Sequence, residues 1–307
     1  MRNTLLIYRE LAKSGIVALV LISVLGGYLC GHPFERPLDW TNLAQTLFGV
    51  FFLAAGSSAL NQVQERKLDA LMPRTAKRPL PSGRISLGHA LVFCFVTIVS
   101  GLVALALLEA NSLFWLGISA LVSYNFLYTL WWKRRWAFAA IPGAIPGALP
   151  ILMGYAAASG EIWTRGGLFL FFVLFYWQMP HFWSLAIRFR EDYSAGGIPT
   201  LPVARGVAPT RFHTTVWSLS YVALGLSAPL FLGTGWVYFS ISILTGAKVL
   251  WELRKYLRAT IADTHGPTSA ATQHWLPFFL WINFSLIFYV FGAAIDLWSV
   301  YLTAHFR

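Results

Sequence analysis

Apolar residues in this chain do not recur at the 3.6-residue period of a surface helix. They come instead in near-continuous runs of about twenty, separated by polar intervals. Runs of that length are what an α-helix needs to cross the hydrocarbon of a bilayer. Nine such helices are predicted, near residues 15–31, 43–61, 87–109, 112–132, 137–158, 167–188, 214–233, 236–252 and 275–299. The division of 214–252 into two rests on the turn Gly233-Thr234-Gly235. Two polar intervals are unusually long, Gln62 to Ser86 and Phe189 to His213. They follow the second and sixth helices, so they emerge on the same side, four helices apart. That spacing suggests a pseudo-repeat inside a single domain spanning residues 1–307: helices 1–4 at about 15–135, helices 5–8 at about 137–253, and helix 9 at about 275–299. The predicted class is an all-α, polytopic membrane protein with nine transmembrane helices.

Loop charge tests the helix count. With the N-terminus in the cytoplasm, all of the 23 basic residues except Arg36, Arg165 and Arg307 fall on the inner side. A missed or invented helix in mid-chain would invert half the loops and abolish that asymmetry. The N-terminal MRNTLLIYRELAKSG has no small-residue cleavage site and is not Ser-rich, so the cytoplasmic (inner) membrane is expected in preference to the mitochondrial one. Composition agrees: 57% of residues are hydrophobic and 11% charged, against about 25% charged in a globular domain. The formal charge of +11 would suit a nucleic-acid partner only if it were clustered on a solvated domain, and here it lies in loops. Cys30 and Cys94 fall inside apolar runs, so neither a disulfide nor a thiolate metal site is expected. The connector Ala259 to His265 reads as solvated chain.

The densest polar stretch is Asn61 to Pro81, NQVQERKLDALMPRTAKRPLP. Asn61, Glu65 and Asp69 are spaced i, i+4, i+8, which on a helix puts them on one face within about 80°, spread over roughly 12 Å. One Mg²⁺, at about 2 Å from its oxygen ligands, could touch one or two of them. Arg74, Lys77 and Arg78 follow closely and add the positive charge that a diphosphate requires. A second cluster runs from Gln178 and His181, at the end of helix 6, through Arg188, Asp192 and Tyr193. Gln178 and His181 are expected to share a helical stripe, and polar groups at membrane depth are functional candidates. The fifth span contains IPGAIPGALP, residues 141–150, whose prolines should confine it to the bundle interior or to a cavity wall.

Carboxylates ringed by basic residues above an apolar chamber suit a lipid-soluble chain ending in a diphosphate. Cations neutralise the leaving diphosphate, and aromatic faces stabilise the allylic cation left behind. Tyr124, Tyr128, Tyr176, Trp177, Phe182 and Trp183 are the candidate faces.

The stretch N-Q-V-Q-E-R-K-L-D-A-L-M-P-R-T-A-K-R-P-L resembles the first signature of the UbiA-type intramembrane prenyltransferases. Its M-x-R-T-x-x-R-P-L tail, the later W-Q-M-P-H-F, R-E-D-Y and G-I-P-T-L-P-V elements, and Tyr128 with Lys133 are similar to the branch that farnesylates protohaem IX. The resemblance covers nearly the whole chain. It implies nine helices around a central cavity, Mg²⁺, farnesyl diphosphate as donor, and haem B as acceptor substrate rather than cofactor. Asn61, Glu65, Asp69 and Asp192 would then hold the metal, with Tyr193 completing the second cluster. Arg74, Lys77, Arg78, Lys133 and Arg188 would contact diphosphate, Tyr128 and Gln178 would line the substrate site, and His181 would ligate haem iron or handle a proton. Where the family usually has Asp, this chain has Gln62, Glu65 and Lys67; each change lowers local anionic charge or lengthens a ligand. Haem-biosynthesis or oxidase-assembly proteins are the implied partners besides lipid. The alternatives are transfer to a quinone precursor or other aromatic acceptor, and a non-catalytic haem-handling or transport protein. A transporter should carry its polar residues near the midplane, whereas here they gather at the inner ends of helices.

Overall fold

The computed structural model describes residues 2–262 and 269–305, and no strand occurs among them. In chain order the helices are α1 (Arg2–Leu11), α2 (Ser14–Gly31), α3 (Trp40–Asp69), α4 (Leu87–Ala106), α5 (Ser112–Arg135), α6 (Ala140–Ser159), α7 (Arg165–Arg188), α8 (Arg190–Ala195), α9 (Leu201–Ala204), α10 (Val207–Leu226), α11 (Ala228–Leu232), α12 (Trp236–Ala262) and α13 (Ser269–His305). Among the described residues, seven helices are long and apolar enough to cross a membrane: α2 to α7, and α13 over His274–Ser299. Each matches a predicted span. The remaining two predicted spans fall on α10 with α11 and on α12, divided where expected, at Gly233 with φ 70°. Buried Thr210, Thr214 and Ser218 on α10, and Ser242, Thr245 and Glu252 on α12, make these two helices less apolar. The three α10 hydroxyls bond back to carbonyls one turn earlier, so each of these buried donors is satisfied within its own helix. Of the connector Ala259 to His265, residues 259–262 extend α12 and the rest lie outside the described residues.

Small residues set the closest helix contacts. A Cβ added at Gly27 of α2 would strike the Ile151 carbonyl of α6, and one at Gly154 of α6 would strike the Val24 carbonyl of α2. Backbones can meet this closely only without side chains between them. The two largest apolar cores follow: one joins α2 to α6 through Val24, Leu53, Leu105, Leu113 and Met153, and the other joins α7, α10, α12 and α13 through Val173, Tyr221, Val249 and Phe278. α6 stays helical through Pro146 and Pro150 and is buried over residues 148–154, which keeps its missing donors away from lipid.

The exterior is apolar, as a lipid solvent demands. Phe48, Phe51, Val92 and Phe95 are among the exposed side chains. Trp40, Trp115, Trp163 and Trp236 stand 63–81% exposed, at or beside the N-terminal ends of α3, α5, α7 and α12. An aromatic belt at a membrane–water interface has this placement.

Three departures from the predicted elements bear on the site. α3 does not stop near residue 61 but continues to Asp69, so the whole polar face stays helical. The N-terminus does not lead straight into a span: α1 precedes it and a sharp bend at Lys13 separates α1 from α2. Finally, α5 adopts π-helical geometry over Val122–Trp132.

Candidate active site

Where α3, α5, the Met72–Arg78 turn and the α8–α9 segment meet, they enclose a cavity of about 230 Å³. One wall is the polar face of α3. Asn61, Glu65 and Asp69 all reach the cavity and all are buried, so the predicted i, i+4, i+8 alignment is the one adopted. Each is held by a cation from a different segment. Lys13 Nζ donates to Asn61 Oδ1 at 2.6 Å, Lys133 Nζ donates to Glu65 Oε1 at 2.6 Å, and Arg78 donates to both Asp69 oxygens at 2.9 and 2.8 Å. Buried carboxylates require such partners, because an uncompensated charge out of water is very costly.

Local chemistry explains why the chain presents these groups. The π-helical stretch of α5 bonds to carbonyls five residues back, as Lys133 N–H does to Tyr128 O. Thr129 follows the same spacing with its hydroxyl, donating to Tyr124 O at 2.8 Å. Its proton thus committed, the Thr129 oxygen accepts from Asn61 Nδ2 at 3.1 Å, which turns Asn61 Oδ1 toward the cavity. Asn125 completes the clasp: it accepts from Ser57 Oγ, donates to Ser57 O and Gln64 Oε1, and its carbonyl receives Gln64 Nε2. After α3 the chain turns back on itself, since Thr75 Oγ1 donates to Asp69 O at 2.9 Å and so delivers Arg78 to Asp69.

The facing wall is more aromatic. Tyr124 and Tyr128 stack with centroids 6.0 Å apart, and Phe182, Trp183 and Tyr193 line the cavity from α7 and α8. Gly143 makes room for the Tyr128 ring, which a Cβ there would strike. Asp192 sits beside the cavity rather than in its lining, 3.6 Å from Arg74 Nε, while Arg74 itself lies over the Phe189 ring at 5.0 Å.

Of the residues singled out in the sequence, the structure thus brings together Asn61, Glu65, Asp69, Arg74, Arg78, Tyr128, Lys133 and Tyr193, with Asp192 at the edge. Four others point elsewhere. Lys77 is exposed, and its carbonyl accepts from Arg84. Arg188 lies over Trp275 of α13 at 5.8 Å. Gln178 and His181 do not share a face: Gln178 donates to the Ala144 carbonyl of α6, whereas the His181 ring packs between Trp177 and Phe279, on the α13 side. Residues three apart stand about 60° apart around an α-helix, and α7 is wedged between α6 and α13 here, so that offset sends the two toward different neighbours. Tyr176 and Trp177 also leave the cavity, the latter donating to Ile282 O on α13.

Nothing in the sequence pattern marks Lys13, Asn125 or Thr129 as part of the site. Lys13 counts in the sequence as one more inner-side charge, yet it lines the cavity from the bend before α2. Burial, and then the charge of Arg78, push its ammonium down to about 7. Gln62, where the resemblance called for Asp, is not in the cavity: its Nε2 donates to the carbonyls of Glu10 and Leu11 and ties down the end of α1. That substitution therefore bears on anchoring rather than on ligand charge.

The oxygen-only donors Asn61, Glu65 and Asp69 suit a hard divalent cation such as Mg²⁺. Among the described residues no three His, Cys, Asp or Glu side chains converge as a ready ligand set, and the basic partners already hold the carboxylates. The wall fits a metal that arrives with an anion able to accept those displaced cations.

Comparison with known proteins follows the same lines. Residues 20–283 match the UbiA prenyltransferase family. The protoheme IX farnesyltransferase of Bdellovibrio bacteriovorus is 44% identical over 299 residues, covering 97% of this chain and 99% of that one. Among solved structures, a digeranylgeranylglyceryl phosphate synthase superposes with a TM-score of 0.74 at 19% identity, over 95% of this chain and 99% of the other. A UbiA homolog from Archaeoglobus fulgidus bound to GPP and Mg²⁺ gives 0.67 at 19% identity, over 94% and 99%. At such identities these two likenesses concern the fold.

Proposed function

The chain belongs to the UbiA prenyltransferase family, and from that premise we propose that it transfers the farnesyl group of farnesyl diphosphate to a vinyl group of haem B, giving haem O. The observation that carries this reading is the 44% identity to a protoheme IX farnesyltransferase along nearly the full length of both chains.

In this reading the C–O bond of farnesyl diphosphate breaks with both electrons going to diphosphate. The vinyl π-electrons of haem B attack the allylic carbon and form the new C–C bond. Water then adds to the carbon left cationic beside the pyrrole and loses a proton, completing the hydroxyethylfarnesyl group. Mg²⁺, when bound, supplies positive charge to the leaving diphosphate. Asn61, Glu65 and Asp69, with Asp192 opposite, are the side chains that would hold it. Arg78, Lys133 and Arg74 bind diphosphate oxygens, and Lys77 and Arg188 guide the head group from outside the cavity. Tyr124, Tyr128 and Tyr193 face the allylic cation and keep stray water from it. Gln178 fixes α7 against α6, and His181, on the α13 side, is the proposed haem-facing group.

We place the protein in the inner membrane with its N-terminus and active site toward the cytoplasm. α10 and α12 complete nine spans, and α3 and α7 occupy equivalent places in a repeated single domain. The inner-side concentration of basic residues supports this orientation. Haem O so made would serve assembly of haem–copper oxidases. The test is incubation of purified protein with haem B, farnesyl diphosphate and Mg²⁺, followed by chromatography. A farnesylated haem is expected; its absence alongside prenylation of a quinone precursor would overturn the choice of acceptor.

A further inference from the structure

Three cations converge on the α3 wall and only two carboxylates meet them. Lys133 holds Glu65 and Arg78 holds Asp69, but the partner of Lys13 is the neutral amide of Asn61. A partly buried ammonium without a carboxylate of its own is an expensive arrangement. A lysine serving only to mark the cytoplasmic side would extend to water, whereas this one lines the cavity beside Glu65 and Asp69. The backbone there is also special: Lys13 has φ 51°, the one positive value among described non-glycine residues. That conformation is disfavoured for a side chain with a Cβ, and it is the bend that aims Lys13 inward between α1 and α2. Gln62 reinforces the bend by capping the Glu10 and Leu11 carbonyls from α3.

We propose that Lys13 is a further substrate-binding residue of the site: its ammonium binds a diphosphate oxygen and, when it rests on Asn61, competes with the divalent metal for that amide oxygen. The inference deepens the proposed function and rests on it for the identity of the head group. The unmatched positive charge is what an incoming diphosphate neutralises. Transfer of the ammonium from Asn61 to that anion frees Oδ1, held toward the cavity by Thr129, for the metal that accompanies the diphosphate. Metal and diphosphate thereby bind together better than either binds alone.

The experiment uses the full chain in detergent, with Mn²⁺ and inorganic pyrophosphate as probes, followed by calorimetry and Mn²⁺ electron paramagnetic resonance. Lys13→Gly removes the ammonium while accepting the bend, since glycine adopts positive φ freely; Lys13→Arg keeps the charge. Removing the ammonium should tighten Mn²⁺ alone by about threefold or more, yet weaken pyrophosphate in the presence of Mn²⁺ by about tenfold or more. Lys13→Arg should retain pyrophosphate binding to within about threefold of the original protein. Opposite movements of the two constants are what loss of structure cannot produce. If both weaken together, or neither moves, Lys13 is structural and the proposal falls. If the original protein binds Mn²⁺–pyrophosphate but makes no haem O, the acceptor reading fails while the Lys13 assignment is judged by the variants alone.

Discussion

Acid–base pairs stand on both sides of the cavity, in very different settings. On α3, the Glu65 and Asp69 side chains are 4% and 1% exposed, and their cationic partners are at 2.6 and 2.8 Å. Across the cavity Asp192 is 18% exposed, and its partner Arg74, itself 38% exposed, stands 3.6 Å away. The first wall is a desolvated lattice of charges, each fixed by groups from another segment. The second is a short helix, α8, on a solvent-accessible loop. Charges fixed in advance in a dry site can stabilise a leaving group without reorganising, so on the proposed function the α3 wall holds the diphosphate and the α8 side adjusts around it.

This contrast breaks most readily at Asp69. Asp69→Ala strands the Arg78 guanidinium, and on the proposed function, where it also removes a metal ligand, haem O formation should fall by about three orders of magnitude. Unchanged turnover would remove Asp69 from the site. Asp192→Ala, on the looser wall, should cost roughly ten- to a hundredfold, with the Michaelis constant for farnesyl diphosphate rising more than turnover falls. A loss equal to that of Asp69→Ala would erase the asymmetry between the walls. The smallest effect belongs to Arg84→Ala. Its bridge to Glu10 joins two side chains that are 39% and 49% exposed, and arginine in such a setting adds about 1 kcal/mol or less. Neither steady-state turnover nor the thermal unfolding midpoint should move measurably.

Much of this was legible in the chain itself. Seven spans announced themselves through uninterrupted apolar length, and the spacing of Asn61, Glu65 and Asp69 placed them on one face because α3 continues as regular helix. What could not be read were relations between segments. Lys13 lies 48 residues from its partner Asn61, and Lys133 lies 68 from Glu65. The direction of His181 depends on which neighbour α7 meets at that point, Phe279 of α13, and a helical stripe alone carries no such information. Gln62 looked like a weakened metal ligand because motif position says nothing of what lies behind the helix. Carbonyls at the end of α1 lie behind it.

The altered winding of α5 carries one more consequence. From Val122 to Trp132 each peptide reaches a wider turn than an ordinary helix closes, and Tyr124, Tyr128, Thr129 and Lys133 owe their common outlook to it. Dropping one amino acid from that stretch would restore tight coiling and swing everything beyond the gap by about 100°, taking Lys133 out of reach of Glu65. Conservative swaps of lipid-facing Leu127 or Leu130 leave the winding untouched, so this stretch should be far more sensitive to its number of residues than to their identity.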